Sequence, residues 1–294
     1  MLRKQRVIKR GFSFRLWLRR LCYWFIDIDK ADWYFERLMK GDTIRIKHFS
    51  GKTKKLATSG STDGKPKHIE IDKEQLELRY ATEWYGMTWA GWKPWDRWAR
   101  LWYPVVRAHN DNIVNRIQLK VQRLTERCLF LNYFNMSPRK AKLYWRILKW
   151  YKPQLLVGYS EALYLFAKHC SDQGLSLHIP ATISSGGHLS IRWMHRIRSQ
   201  FNTKVYNRYG CSEAGMIAME ERPGSQRLRI VTERGLSVKR GANDRLLITD
   251  INNNATELKD YDLGDTGKVH GGKWILDLEG HIKGPKSYLR IKRD

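Results

Sequence analysis

Cysteine is sparse: four residues (Cys22, Cys128, Cys170, Cys211) in 294, with no Cys-x-x-Cys pair. That spacing excludes a disulfide framework and a zinc knuckle, and a reducing cytoplasm is the simplest compartment. Long apolar runs are missing too. The best candidate, residues 16–28, is broken by Arg19, Arg20 and Asp27, far short of the roughly 18–20 apolar residues a bilayer span needs. The basic start leads into no uncharged stretch with a small-residue cleavage site, so a secretory signal is not expected. Acidic residues are few: 29 Asp and Glu against 55 Lys and Arg, a formal charge of +26. The excess points to a polyanionic neighbour (nucleic acid, an anionic membrane surface or a phosphorylated substrate) without choosing among them.

What is present is apolar mass. Hydrophobic residues make up 42% and aromatics 12%, with 13 Trp, which is enough to build a core and excludes wholesale disorder. Eight basic residues and no acidic one fall within residues 1–20, and Phe14, Trp17, Leu18, Leu21, Phe25 and Ile28 follow helical spacing. This segment reads as a helix packed on the fold with a solvated basic side. An interfacial helix on anionic lipid or a nucleic-acid contact are the alternatives.

A helix is expected from Asp72 to about Ala90. The stretch 89–104 is dense in Trp, which suits core packing better than base stacking. Ser137-Pro138 supplies a cap and an N1 proline for a helix to about Tyr151. Residues 154–158 read as a buried strand, and Ser160 opens a further helix ending near Gly174. From Pro180 onward short apolar runs alternate with Gly-containing turns, predicting strands at 181–185, 204–209, 216–219, 228–231 and 246–250. The fold class is therefore α/β.

Thr58-Ser-Gly-Ser-Thr-Asp-Gly-Lys-Pro-Lys67 is the first segment with chemical content. Small residues expose backbone N–H groups, hydroxyls add donors and the lysines add charge, as wrapping an oligophosphate requires. It is not a Walker A loop, because Pro66 follows Lys65 where Ser or Thr would meet the metal. A flexible linker is the plainer alternative.

The order of residues in this loop resembles the phosphate loop of the acyl-adenylate-forming (AMP-binding) ligase superfamily, apart from the additional Asp63. Three further segments fall in that family's order: Ile183-Ser-Ser-Gly-Gly-His-Leu-Ser190, Asn207-Arg-Tyr-Gly-Cys-Ser-Glu-Ala-Gly215, and Ile248-Thr-Asp-Ile-Asn252 followed by Tyr261-Asp-Leu-Gly-Asp265. Gly91-Trp-Lys-Pro-Trp-Asp-Arg97 and Leu156-Val-Gly-Tyr-Ser-Glu-Ala-Leu-Tyr-Leu165 are similar to the phenylacetate–CoA ligase branch of the capsule-polysaccharide CapK type. The likeness covers about residues 50 to 285.

The resemblance implies the large N-terminal domain of that fold, with mixed sheets packed by helices. It divides the chain into a basic amphipathic segment (1–50), a ligase-like domain (51–280) and a hinge remnant (281–294), with the C-terminal lid domain lacking. It also implies ATP-dependent activation of a carboxylic acid in a surface-polysaccharide pathway, with ATP or AMP and Mg²⁺ bound and CoA use left open. Thr58, Ser59, Gly60, Ser61, Thr62, Gly64, Lys65 and Lys67 would cradle phosphates. Gly186, Gly187, Tyr209 and Gly210 would flank adenine, Asp265 would accept from the ribose hydroxyls, Ser212 would donate to a phosphate and Glu213 would bind the metal.

The family's Gly-Arg is replaced by Gly284-Pro285, and a proline cannot stand in for a guanidinium. The lid lysine would then come from Lys283, Lys286, Lys292 or a separate protein. A nucleotide-binding pseudoenzyme or assembly factor, and a basic peripheral-membrane or nucleic-acid-associated protein on a vestigial ligase fold, are the alternatives. The location expected is cytoplasmic, including a peripheral position at the inner face of the membrane.

Overall fold

The computed structural model describes residues 27–47, 51, 53–57, 68–103, 120–121 and 123–279. The expectations for residues 1–26, for the loop 58–67 and for the hinge remnant lie outside these residues.

Helix α1 (Ile28–Met39) starts where the Asp27 carboxylate accepts from the N–H groups of Asp29 and Lys30, satisfying donors that an uncapped helix would leave orphaned. Strands β1 (Thr53–Ala57) and β2 (His68–Asp72) form an antiparallel pair. Asp72 then caps α2 (Lys73–Trp89) by accepting from the Glu74 N–H. Strand β3 (Trp98–Trp102) is followed by β4 (Cys128–Asn132) and by α3 (Pro138–Tyr151), capped by Ser137 with proline at its start as expected. Next come β5 (Leu155–Tyr159), α4 (Ser160–Asp172), β6 (Ala181–Ser185), α5 (Ile191–Phe201) and β7 (Lys204–Cys211). The remaining strands are β8 (Gly215–Glu220), β9 (Leu228–Ile230), β10 (Leu236–Arg240), β11 (Arg245–Asp250), β12 (Leu258–His270) and β13 (Trp274–Glu279).

Among the described residues, eleven strands form one sheet in the order β10-β11-β12-β13-β9-β8-β7-β6-β5-β3-β4. The half from β4 to β7 is parallel and the rest antiparallel. The parallel strands are covered on both faces, as their continuous apolar character demands. Alternate residues point to opposite sides. Trp98, Leu155, Val157 and Ile183 share a core with α1 and α2, whereas Ala99, Leu101, Leu156 and Val205 share one with α3, α4 and α5. The antiparallel half encloses its own core around Ile217, Ile230, Ile248 and Ile275.

The expected α/β class and mixed-sheet architecture are observed. In the Trp-rich stretch, Trp92 and Trp98 are buried and Trp102 stacks on Tyr159 with ring centroids 3.8 Å apart. Two helices were not foreseen. α1 shows its own cap only once Asp27 is recognised as one. α5 buries Ile197 and Phe201 and packs Met194 against the same core, and these three follow helical spacing, a local signal that the strand-dominated reading of this region passed over.

Candidate nucleotide site

The strands' carboxyl ends are where open α/β sheets bind ligands, at the place where strand order changes sense. The order reverses at β3, between β4 and β5, but the expected segments cluster at the carboxyl ends of β6 and β7, next to where the parallel half meets antiparallel β8. Four of the expected segments bear on it.

Gly186 and Gly187 follow β6 with φ of +67° and +150°. A Cβ on Gly186 would sit 2.6 Å from two Tyr159 ring carbons, so both conformation and space require glycine there. The Ser160 hydroxyl donates to the Gly187 carbonyl (2.9 Å) and lies 2.8 Å from the Ser184 hydroxyl, pinning the turn.

Tyr209, near the end of β7, donates its phenolic hydrogen to Asp265 on β12 at 2.7 Å. The contact spans three intervening strands, so the antiparallel half has to curl toward β7. Burial, and then the Asp265 charge, push the Tyr209 phenol well above its usual range. It therefore stays a donor at every pH the protein would meet. The next residue, Gly210, has no room for a side chain because a Cβ would overlap the Gly215 carbonyl.

The β7–β8 turn carries exposed Ser212 and half-buried Glu213. Two arginines brace it from behind. Arg79 on α2 donates to the Ser212 carbonyl at 2.9 Å and to the Glu213 carbonyl. Arg234 donates to the Ala214 carbonyl (2.6 Å) and the Met216 carbonyl (3.3 Å). Arg234 is fully buried and paired with equally buried Asp250, which also accepts from the Gln75 amide at 2.8 Å. Burial, and then Arg234, lower the Arg79 guanidinium to about 10. The Nε atoms of Arg79 and Arg234 are buried without a partner among the described residues. Burial, followed by the adjacent Glu213 carboxylate, raises the Cys211 thiol to about 12, so it is not a nucleophile.

The loop holding Thr58, Ser59, Gly60, Ser61, Thr62, Gly64, Lys65 and Lys67 lies outside the described residues, but its base does not. Ala57 and His68 are register partners. The Glu70 N–H donates to Thr256 at 3.0 Å, tying β2 to the β11–β12 connection. β2 runs directly into α2, which carries Arg79. One continuous stretch thus supports both the loop's base and the turn bearing Glu213.

Beside the glycine pair lies a second charged group. Glu83 on α2 accepts from Arg100 on β3 and, at 3.1 Å, from Arg208 on β7. Arg208 also donates to Ser185 at 3.2 Å. Burial pushes the Glu83 carboxyl up, but the two guanidiniums outweigh it and hold it below the ordinary carboxylate range.

Among the described residues, no three His, Cys, Asp or Glu side chains converge as a metal cage. Mg²⁺ bound through a nucleotide needs only one or two carboxylates, the remaining ligands being phosphate and water. Glu213, partly exposed on a braced turn, fits that requirement. Sequence reasoning had placed Tyr209, Asp265, Ser212, Glu213, Gly186 and Gly187, and the structure gathers these around the ends of β6 and β7 and the facing part of β12. It missed Arg79, Arg234 and Glu83, which lie on separate elements with no local pattern to mark them.

No family model matches the chain, and no curated protein matches it. Solved structures do match. An open conformation of 2-hydroxyisobutyryl-CoA ligase in complex with 2-HIB-AMP and CoA is 12% identical with a TM-score of 0.58, over 78% of this chain and 53% of that one. ATP-bound MatB from Rhodopseudomonas palustris is 14% identical with a TM-score of 0.51, over 77% and 47%. The luciferase-like enzyme from the nonluminescent Zophobas morio mealworm is 15% identical with a TM-score of 0.52, over 81% and 60%. The chain spans about half the length of the first two. It has the α/β fold of the large N-terminal domain of adenylate-forming ligases.

Proposed function

We propose that the chain binds ATP at the ends of β6 and β7 and joins a carboxylic acid to its AMP moiety. The observation that carries this reading is the Tyr209–Asp265 hydrogen bond. It unites two segments that the sequence nominated independently, beside a turn braced to present Ser212 and Glu213.

In this reading adenine lies against Tyr209 and the backbone at Gly186, Gly187 and Gly210. Asp265 accepts from the ribose hydroxyls, a task that calls for a carboxylate. Ser212 donates to a phosphate, and Thr58, Ser59, Gly60, Ser61, Thr62, Gly64, Lys65 and Lys67 enclose the outer phosphates. Glu213 holds Mg²⁺, which when bound supplies charge neutralisation at the phosphates. An oxygen of the acid forms a bond to the α-phosphorus while the bond to pyrophosphate breaks. The chain's part is to orient the two reactants and stabilise the charge that accumulates.

The finer assignment is to the phenylacetate–CoA ligase and CapK-like branch, in a surface-polysaccharide pathway in the cytoplasm. Its support is the pair of segments 91–97 and 156–165. CoA as the second acceptor, and a lysine from Lys283, Lys286, Lys292 or a separate protein, belong to the same proposal.

ATP–pyrophosphate exchange across a panel of carboxylic acids tests turnover, and exchange with at least one acid is expected. Equilibrium ATP binding tests the site. Asp265→Asn removes a charged acceptor, and binding should weaken roughly tenfold or more, since hydrogen bonds to charged groups contribute about 1.5–3 kcal/mol. ATP binding unchanged in both Tyr209→Ala and Glu213→Gln would overturn the assignment.

A further inference from the structure

Helix α3 carries Arg139, Lys140, Lys142, Arg146 and Lys149 and no acidic residue. Arg139, Lys142, Arg146 and Lys149 are exposed and follow one another at three- and four-residue intervals, the spacing at which like charges on a helix repel. None of the five is in an ion pair among the described residues. Large apolar side chains stand among these charges: Trp150 is 79% exposed, Leu143 52%, and Phe134, in the turn before the helix, 56%. Leu143 and Trp150 are seven residues apart and so share one face.

Neither feature is explained by packing. The helix is already anchored by Ala141, Tyr144 and Leu148 on its opposite face. The cationic character continues beyond α3. α4 packs between α3 and α5, and α5 adds Arg192, Arg196 and Arg198, again with no acidic residue. The acid on the exposed side of α4, Asp172, is already paired with Lys168 at 3.0 Å.

We propose that the outer face of α3 docks on an anionic lipid bilayer, with Leu143 and Trp150 entering the headgroup boundary and the surrounding cations meeting lipid phosphates. A polybasic face draws such a surface electrostatically, and interleaved Trp and Leu add apolar burial at the interface. A nucleic acid would use the cations equally, but an exposed aliphatic Leu143 gives it nothing to bind. The face spans about 16 Å from Arg139 to Trp150 at 1.5 Å per residue, enough for several headgroups. Docking is independent of the activity proposed above, because none of these residues belongs to the nucleotide site.

The test is flotation of the full chain with phosphatidylcholine vesicles, with and without phosphatidylglycerol. Binding is expected only where phosphatidylglycerol is present. Lys142→Glu with Lys149→Glu should weaken it at least roughly twentyfold, about fivefold for each cation lost. Leu143→Ser with Trp150→Ser leaves every charge in place and should weaken it roughly tenfold through lost apolar burial. Both pairs are exposed, so the melting temperature should stay at the parent value. Vesicle binding unchanged by the charge reversals overturns the proposal, because another region would then be the anchor. Loss on charge reversal with no effect of the Leu143 and Trp150 replacements overturns it as well, and assigns the face to a soluble polyanion such as nucleic acid.

Discussion

Two arginine clusters flank the candidate site and are built on opposite plans. Around Arg234 the guanidinium, Asp250 and the Gln75 amide are dry, and Arg79 and Arg234 between them donate to the carbonyls of Ser212, Glu213, Ala214 and Met216 across the β7–β8 turn and the start of β8. Around Glu83 a single carboxylate serves both Arg100 and Arg208, so a surplus positive charge remains at the strand ends. The first arrangement fixes backbone. The second stores charge beside Tyr159 and the glycine pair. A buried ion pair is weak evidence for stability in itself, but removing one partner is expensive because the other is left buried and charged.

The contrast can be broken in order of size. Arg234→Leu strands the Asp250 charge and removes the donors to the Ala214 and Met216 carbonyls, and should lower stability by about 3–5 kcal/mol. Urea unfolding measures it, and a loss below about 1 kcal/mol would show that the turn holds itself. Glu83→Gln should cost less, about 1–3 kcal/mol, because 27% of that side chain is exposed and water screens it.

The pH dependence of this second variant has a definite sign. Glu83 is depressed in the folded state, so its contribution is complete above the unfolded value, about 4.3. It is lost as pH falls through the lower folded value. The stability gap between parent and Glu83→Gln should therefore shrink as pH drops below about 4.3. Glu220 and Glu77, raised chiefly by burial, act in the opposite sense in both proteins and cancel in the difference. A gap that stays constant down to acid unfolding contradicts the ion-pair account.

Smallest is Tyr209→Phe, which deletes one hydrogen bond to a charged acceptor, about 1.5 kcal/mol. Its effect on ATP affinity should exceed its effect on stability if Asp265 depends on the phenol for its orientation.

Much of the parallel half was readable because its signals are local. Ser137-Pro138 announces α3, and the strand at 154–158 lies between two helices, α3 and α4, as a parallel sheet requires. The glycines at 186, 187 and 210 were nominated only through the family resemblance, and the structure supplies the reasons: positive φ at Gly186 and Gly187 and no room for a side chain at Gly186 and Gly210. The curl that carries Asp265 to Tyr209 was not readable. It arises from a 13-residue strand with register shifts on both sides, a property of pairing partners and of no single segment. Arg79 and Arg234 were hidden for a related reason. An arginine on a helix looks like a solvated charge until the turn it supports has been placed. α5 was legible in principle, since Met194, Ile197 and Phe201 follow helical spacing, but the expectation of alternating strands after Pro180 hid it.

Asn252 accepts from the Ile46 N–H and donates to the carbonyls of Ile44 and Arg234, stitching together chain segments more than two hundred residues apart. Contacts of such separation form only once a loop of that length has closed, a requirement that contacts within one helix or hairpin do not have. Asn252 also accompanies Asp250 and Arg234, which hold the Ser212–Glu213 turn. The bracing of the turn is thus continuous with contacts that join residues 44–46 to Asn252. Recovery of ligand binding in refolding would therefore report closure of this long-range contact, where recovery of helical signal would report the local elements.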